Sequence, residues 1–178
     1  LEEITEHVLY SPVSANYQRF GSSIFVQRNT GTKTMLVGAP GTITTGTGAV
    51  YNYRINSTGA GVTVNTPIAV TTSSISSGSL WGYSISGADN CSIIAVGAPG
   101  HNSESGLVSI FTGTATTFLQ TIVSPFGEYG RFGEKVAVSQ DGSYLIISAP
   151  NVKNSDRSFG KTAIYTKTNG LFNTATVQ

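Results

Sequence analysis

Three short apolar runs organise the chain: "MLVGAPG" (35–41), "IIAVGAPG" (93–100) and "LIISAPN" (145–151). A continuous apolar run of this length, bounded by turn residues, predicts a strand buried on both faces. Upstream of each stands an aromatic-Gly pair: Phe20-Gly21, Trp81-Gly82 and Phe132-Gly133. The aromatic precedes the Gly or Ser of the run by 18, 16 and 16 residues. Downstream, after a polar loop, a Gly opens a second apolar strand: "GAVYNYRI" (48–55), "GLVSIFTG" (106–113) and "GKTAIYTKT" (160–168). Successive aromatic-Gly pairs lie 61 and then 51 residues apart. A period near 50 marks repeated supersecondary units that share one continuous core.

Each unit reads as four strands. Strand A follows the aromatic-Gly, as in "FGEKVAVS" (132–139). Strand B is the apolar run, as in "SIIAVGA" (92–98), and strand C the second apolar segment. Strand D is "TPIAVTT" (66–72) in the first unit, "TFLQTIVS" (117–124) in the second and "LFNTATVQ" (171–178) in the third. The A–B turns "RNTGTK" (28–33), "GADN" (87–90) and "QDG" (140–142) are polar, and Asp-Gly is good hairpin chemistry. The beginning of the chain, "HVLYSPVSANYQRFG" (7–21), is similar to "TIVSPFGEYGRFG" (121–133), so residues 4–10 read as a D strand without its A, B and C partners. The organisation is therefore an orphan outer strand and linker (1–19), then units at 20–80, 81–131 and 132–178.

Phe20-Gly21 with Gly38-Ala39-Pro40, Trp81-Gly82 with Gly97-Ala98-Pro99, and Phe132-Gly133 with Ser148-Ala149-Pro150 resemble the FG-GAP repeat, the blade of integrin-alpha-type β-propellers. Trp81 and Ser148 depart from the pattern. The resemblance covers nearly the whole chain and implies an all-β, β-propeller-type fold of three four-stranded antiparallel blades. Propellers typically have about four to eight blades. Three units imply part of a larger propeller, a ring completed by copies, or an unusual compact arrangement. The reading favoured here is a piece of a longer chain. Physically, the aromatic anchors a strand on a neighbouring unit, Gly and Ala admit a close backbone, and Pro ends strand B because it cannot donate to the ladder. In many FG-GAP blades the A–B loop carries Asp-x-Asp-x-Asp-Gly and cages calcium. Here those loops offer none, Asp89-Asn90 and Asp141, short of the six to eight oxygens calcium takes. No metal and no cofactor is expected; Asx turns explain these residues.

Composition narrows the partner. Charged residues make up 11% and the net charge is +1, so no basic stripe meets nucleic acid. Polarity comes from 23 Thr and 22 Ser, which suit strands and turns. No apolar run approaches the ~20 residues of a membrane helix, and membrane insertion is not expected. Cys91 is the only cysteine, which excludes an intrachain disulfide.

No catalytic constellation emerges. His7 lies on the presumed first strand. His101 and Glu104, in "GHNSESG", are too few for zinc, and Ser103, His101 and Glu104 lack a nucleophile elbow. The variable B–C loops at 41–47, 100–105 and 151–159 are where binding on a rigid scaffold is expected. They offer His101, Asn102, Glu104, Lys153, Asp156 and Arg157. Asn56-Ser57-Thr58 is a glycosylation sequon in a stretch read as a polar loop, and Asn90-Cys91-Ser92 is a weaker one. The resulting expectation is a non-enzymatic adhesion, attachment or structural module on an extracellular or particle surface. Its partner would be a protein, a glycan or neighbouring subunits, with homo-oligomerisation one route to a complete ring. The competing expectation is a polysaccharide-active enzyme using Glu104, Glu128 or Glu134.

Overall fold

A computed structural model describes residues 8–14, 18–28, 33–42, 44, 46–58, 61–64, 68–70, 75–113, 115, 117–154 and 157–177. The first sheet contains β1 (Ser23–Val26), β2 (Lys33–Ala39), β3 (Ala49–Thr58), β4 (Gly61–Val64) and β5 (Ile68–Val70). The second contains β6 (Ser84–Gly87), β7 (Ile94–Ala98), β8 (Leu107–Thr112) and β9 (Thr117–Val123), with a one-turn element, α1 (His101–Glu104), between β7 and β8. The third contains β10 (Val136–Val138), β11 (Tyr144–Ala149), β14 (Lys161–Thr168) and β15 (Leu171–Val177). A small ribbon, β12 (Lys153–Asn154) with β13 (Arg157–Ser158), fills the loop before β14. All strand pairs are antiparallel, and the second and third sheets are simple four-stranded meanders.

The first sheet departs from the four-strand expectation. β3 runs ten residues and pairs with β5 at Val50–Asn52 and with β4 at Ile55–Thr58. The apolar-polar alternation of "GVTV" makes it a strand, and β3 extends past β2 to meet it. Asn56 consequently sits within β3, opposite Thr63, and not in a loop. Of the expected orphan strand at 4–10, residues 4–7 lie outside the described residues, and 8–10 form no strand. Leu9 nevertheless packs on the first sheet with Phe20, Val37, Tyr51 and Tyr53.

Each aromatic-Gly pair carries one backbone signature. Arg19, Leu80 and Arg131, just before the aromatics, have φ of 55°, 58° and 56°, and Gly21, Gly82 and Gly133 have 88°, 89° and 90°. The Gly amide then donates to the central residue of the B-strand motif: Gly21 to Gly38, Gly82 to Gly97 and Gly133 to Ser148, each at 3.0 Å. Left-handed φ costs an ordinary residue about 1–2 kcal/mol. The corner is held because the bond pattern around it is satisfied in all three units.

These corners join the sheets. Trp81 donates its amide to the Thr47 carbonyl at 3.0 Å, and Phe132 to Ser105 at 3.1 Å, across parallel bridges to Gly48 and Gly106. The Gly82 carbonyl enters the space above Gly38 and accepts from Ser23 Oγ at 2.7 Å. The Gly133 carbonyl does the same above Gly97, accepting from Ser84 Oγ at 2.8 Å. Trp81 lies in an apolar cluster with Leu36 and Val50 of the first sheet and Val96 and Phe111 of the second. Phe132 lies in another, with Val108 and Ile110 of the second sheet and Leu145 and Ile147 of the third. The repetition in the sequence is thus a stacking code. β7 lies between two sheets and is buried at every residue, whereas β11 alternates, with Tyr144 and Ile146 exposed.

Candidate functional site

The loops divide between two ends of the stack. At one end the A–B turns meet, and here Asx chemistry is visible. Asn90 Oδ1 accepts the Ser92 amide at 2.9 Å. Asp141 Oδ1 accepts from Ser139 Oγ at 2.6 Å, from Ser143 Oγ at 2.8 Å and from the Ser143 amide at 3.0 Å. These bonds, first the one from Ser139, hold the Asp141 carboxyl down to about 2. The carboxylate's contribution is therefore present above the usual carboxylate range and is lost as pH falls through about 2. A carboxyl-resolved NMR titration is expected to give a midpoint near 2; a midpoint near 4 would mean the turn does not form these bonds.

The first strands β1, β6 and β10 run beside one another, and the Val138 amide of β10 donates to Ser86 Oγ of β6 at 3.0 Å. Between them opens a cleft of about 310 Å³ lined by Val26, Arg28, Ser86, Asp89, Val138 and Gln140. Asp89 accepts from Gln140 Nε2 and lies 3.9 Å from Arg28. Cys91, beside this turn, is buried, and burial pushes its thiol up to about 11. It is protonated at neutral pH and inert as a nucleophile.

At the other end the B–C loops and D–A connections lie together, joined by one bond in each unit. Gly41 donates to the Gln18 carbonyl, Gly100 to Ser79 and Asn151 to Gly130, at 3.0, 3.0 and 3.2 Å. Within this common frame the second and third loops differ in chemistry.

In the second loop, Asn102, Ser103 and Glu104 all have left-handed φ, 47°, 55° and 58°. Three such residues in succession are rare and strained. They persist because the neighbouring connection holds them: Tyr129 donates its amide to the Ser103 carbonyl at 3.2 Å, and Arg131 to Glu104 at 2.7 Å. The Arg131 guanidinium bonds Glu104 at 3.1 Å through Nη1 and Glu134 through Nε. Burial alone would lower the Arg131 pKa, but its bonds to Glu134 and Glu104 outweigh that and raise it. His101 turns elsewhere: its Nδ1 lies 3.1 Å from Ser79 Oγ and 3.3 Å from Ser76 Oγ, and burial lowers its pKa. The structure therefore brings His101 to two serines and Glu104 to an arginine, and the Ser103, His101, Glu104 set does not assemble. Glu104 and Glu134 do converge, but on one guanidinium; Glu128 is exposed.

In the third loop, Lys153 is exposed at the start of β12, and Phe159 is 68% exposed. With Val152 and Lys161 they line a cavity of about 550 Å³. The Lys161 ammonium stands 5.4 Å over the Phe126 ring. Among the described residues, no carboxylate forms an ion pair with Lys153 or Lys161. Arg157 has its backbone in β13; Asp156 and His7 lie outside the described residues. Lys153 was a candidate from the sequence; Phe159 and Lys161, which line the same cavity, were not. An aromatic-Gly-Lys stretch, "FGK", at the mouth of a variable loop was the available signal. Among the described residues, no three His, Cys, Asp or Glu side chains gather as for a metal.

No protein-family model matches the chain, and no curated protein is similar to it. The blade resemblance rests on the sequence motifs alone.

Proposed function

We propose that the chain is a non-enzymatic binding module of propeller-type blades of the FG-GAP kind, working at an extracellular or particle surface. Its ligand is an anionic glycan or an acidic protein segment received at the third loop. The carrying observation is that cavity: two lysines and an exposed phenylalanine open to solvent, at the end where the second loop's Glu104 is consumed internally. The lysines attract carboxylate or sulfate, with charge-assisted bonds of about 1.5–3 kcal/mol each. Phe159 supplies an apolar face for a sugar ring or a side chain. Asn56 remains a candidate glycan acceptor, set on the β3 arm.

Binding to immobilised acidic oligosaccharides, their neutral counterparts and an acidic peptide tests this. The intact protein is expected to retain an acidic probe in a salt-sensitive manner. Lys153→Ala with Lys161→Ala is expected to weaken retention by about tenfold or more, with the thermal transition little changed. Equal retention of acidic and neutral probes, or an unaffected variant, would contradict the proposal. The enzymatic reading gains no support from the geometry, since Glu104 and Glu134 both serve Arg131. Cleavage of an offered polysaccharide, lost in Glu104→Gln, would restore it.

A further inference from the structure

The sheets receive the unit that follows them through one corner. In the first sheet it consists of Ser23, Gly38 and Val50; in the second, of Ser84, Gly97 and Val108. These residues sit side by side across the strands. Each Gly is required by a close approach. A Cβ at position 38 would stand 2.1 Å from the Gly82 carbonyl oxygen, and one at position 97 2.1 Å from that of Gly133. The serine hydroxyls donate to those same oxygens. The valine methyls touch the incoming glycine: Val50 Cγ2 lies 3.0 Å and Val108 Cγ2 3.1 Å from where its Cβ would be.

The third sheet carries Lys135, Ser148 and Thr162 at these three places: the Ser148 amide donates to the Lys135 carbonyl at 3.0 Å, and Ser148 pairs with Thr162. Ser148 bears the Cβ that the approach forbids. Its hydroxyl is turned onto its own ladder, where it accepts the Lys135 amide at 3.0 Å. Lys135 is exposed and long where a short serine donates in the other two sheets.

We propose that Lys135, Ser148 and Thr162 close the receiving corner of the third sheet. A fourth unit of the same kind is not accommodated on it in the way the second and third units are stacked. This inference rests on the repeated corner and is independent of the ligand assigned above.

The test extends the full chain by a second copy of residues 123–178, which supplies a connection, an aromatic-Gly corner and four strands. It is made on the natural background and on Lys135→Ser/Ser148→Gly/Thr162→Val, which restores the open corner. On the natural background the appended unit is expected to be removed by limited proteolysis, leaving the original chain. On the opened background it is expected to be cleaved about tenfold more slowly and to unfold with the rest in one transition. Equal resistance on both backgrounds would overturn the proposal, and so would equal susceptibility. The unextended triple variant shows whether the opened corner folds; if it does not, Ser148→Gly alone carries the same comparison.

Discussion

Gly97→Ser is expected to separate the second and third sheets and cost the protein its cooperative fold. The new Cβ would sit 2.1 Å from the Gly133 carbonyl oxygen and 3.0 Å from its carbon. Both of these obstructions are main chain; a third, the Ser84 hydroxyl, can rotate away only by giving up its bond to the Gly133 carbonyl. Gly133 is itself fixed by its amide bond to Ser148 and by the burial of Phe132 beside it. Rotating Ser84 does not relieve the main-chain clash, so relief requires moving a whole corner. Ordinary overpacking costs about 1–3 kcal/mol. Displacing the corner also forfeits the Ser84 bond and the apolar contacts around Phe132, and the loss should exceed about 4 kcal/mol against a typical total of about 5–15. Urea denaturation measures it. The equivalent third-unit position supplies the control, because serine is already present there and, among the described residues, no unit stacks on it. Ser148→Gly is expected to change stability by only about 1 kcal/mol, the usual cost of glycine in a strand. If Gly97→Ser were as mild as Ser148→Gly, the corner would not be the joint between sheets.

Phe132→Ala is expected to lose about 3–5 kcal/mol. Its ring is fully buried, packed edge-on to Phe126 at 5.9 Å, within the core between the second and third sheets. Truncation leaves a cavity lined from two sheets, whose strands cannot collapse into it without breaking the corner. Phe20→Ala at the equivalent first position should cost about half as much, since that ring is only half-buried and the loss scales with the apolar area removed from water. Equal losses at both positions would mean that burial between units is not what the aromatic contributes. Chemical denaturation with an unchanged slope separates the two cases.

The repeat was legible because its period and its motifs are backbone instructions. An aromatic followed by Gly, a Gly-Ala-Pro ending a strand and a Gly opening the next appear as residue types. The strands β7, β8 and β9 lie within the segments those motifs delimit. The conformation of Arg19, Leu80 and Arg131 was not legible. Arginine and leucine carry no preference for positive φ, and only the surrounding bonds impose it. Asn56-Ser57-Thr58 was read in a polar loop, although the alternation of "GVTV" just after it was the better signal for the extra strand of the first sheet. In the candidate site, Lys153 could be selected because charge stands out in a hydroxyl-rich chain. The fate of Glu104 could not, because its partner Arg131 lies 27 residues on and meets it only through the stacking of corners.

The most direct measurement of the stacking is native-state hydrogen exchange at the amides of Trp81 and Phe132, which donate to Thr47 and Ser105 of the preceding unit. If the three sheets form one interlocked stack, both amides exchange only on global unfolding, with the same free energy as the core strands β7 and β11. Fast exchange at either amide, while β7 and β11 stay protected, would show sheets that fold without being joined at their corners and would contradict the architecture.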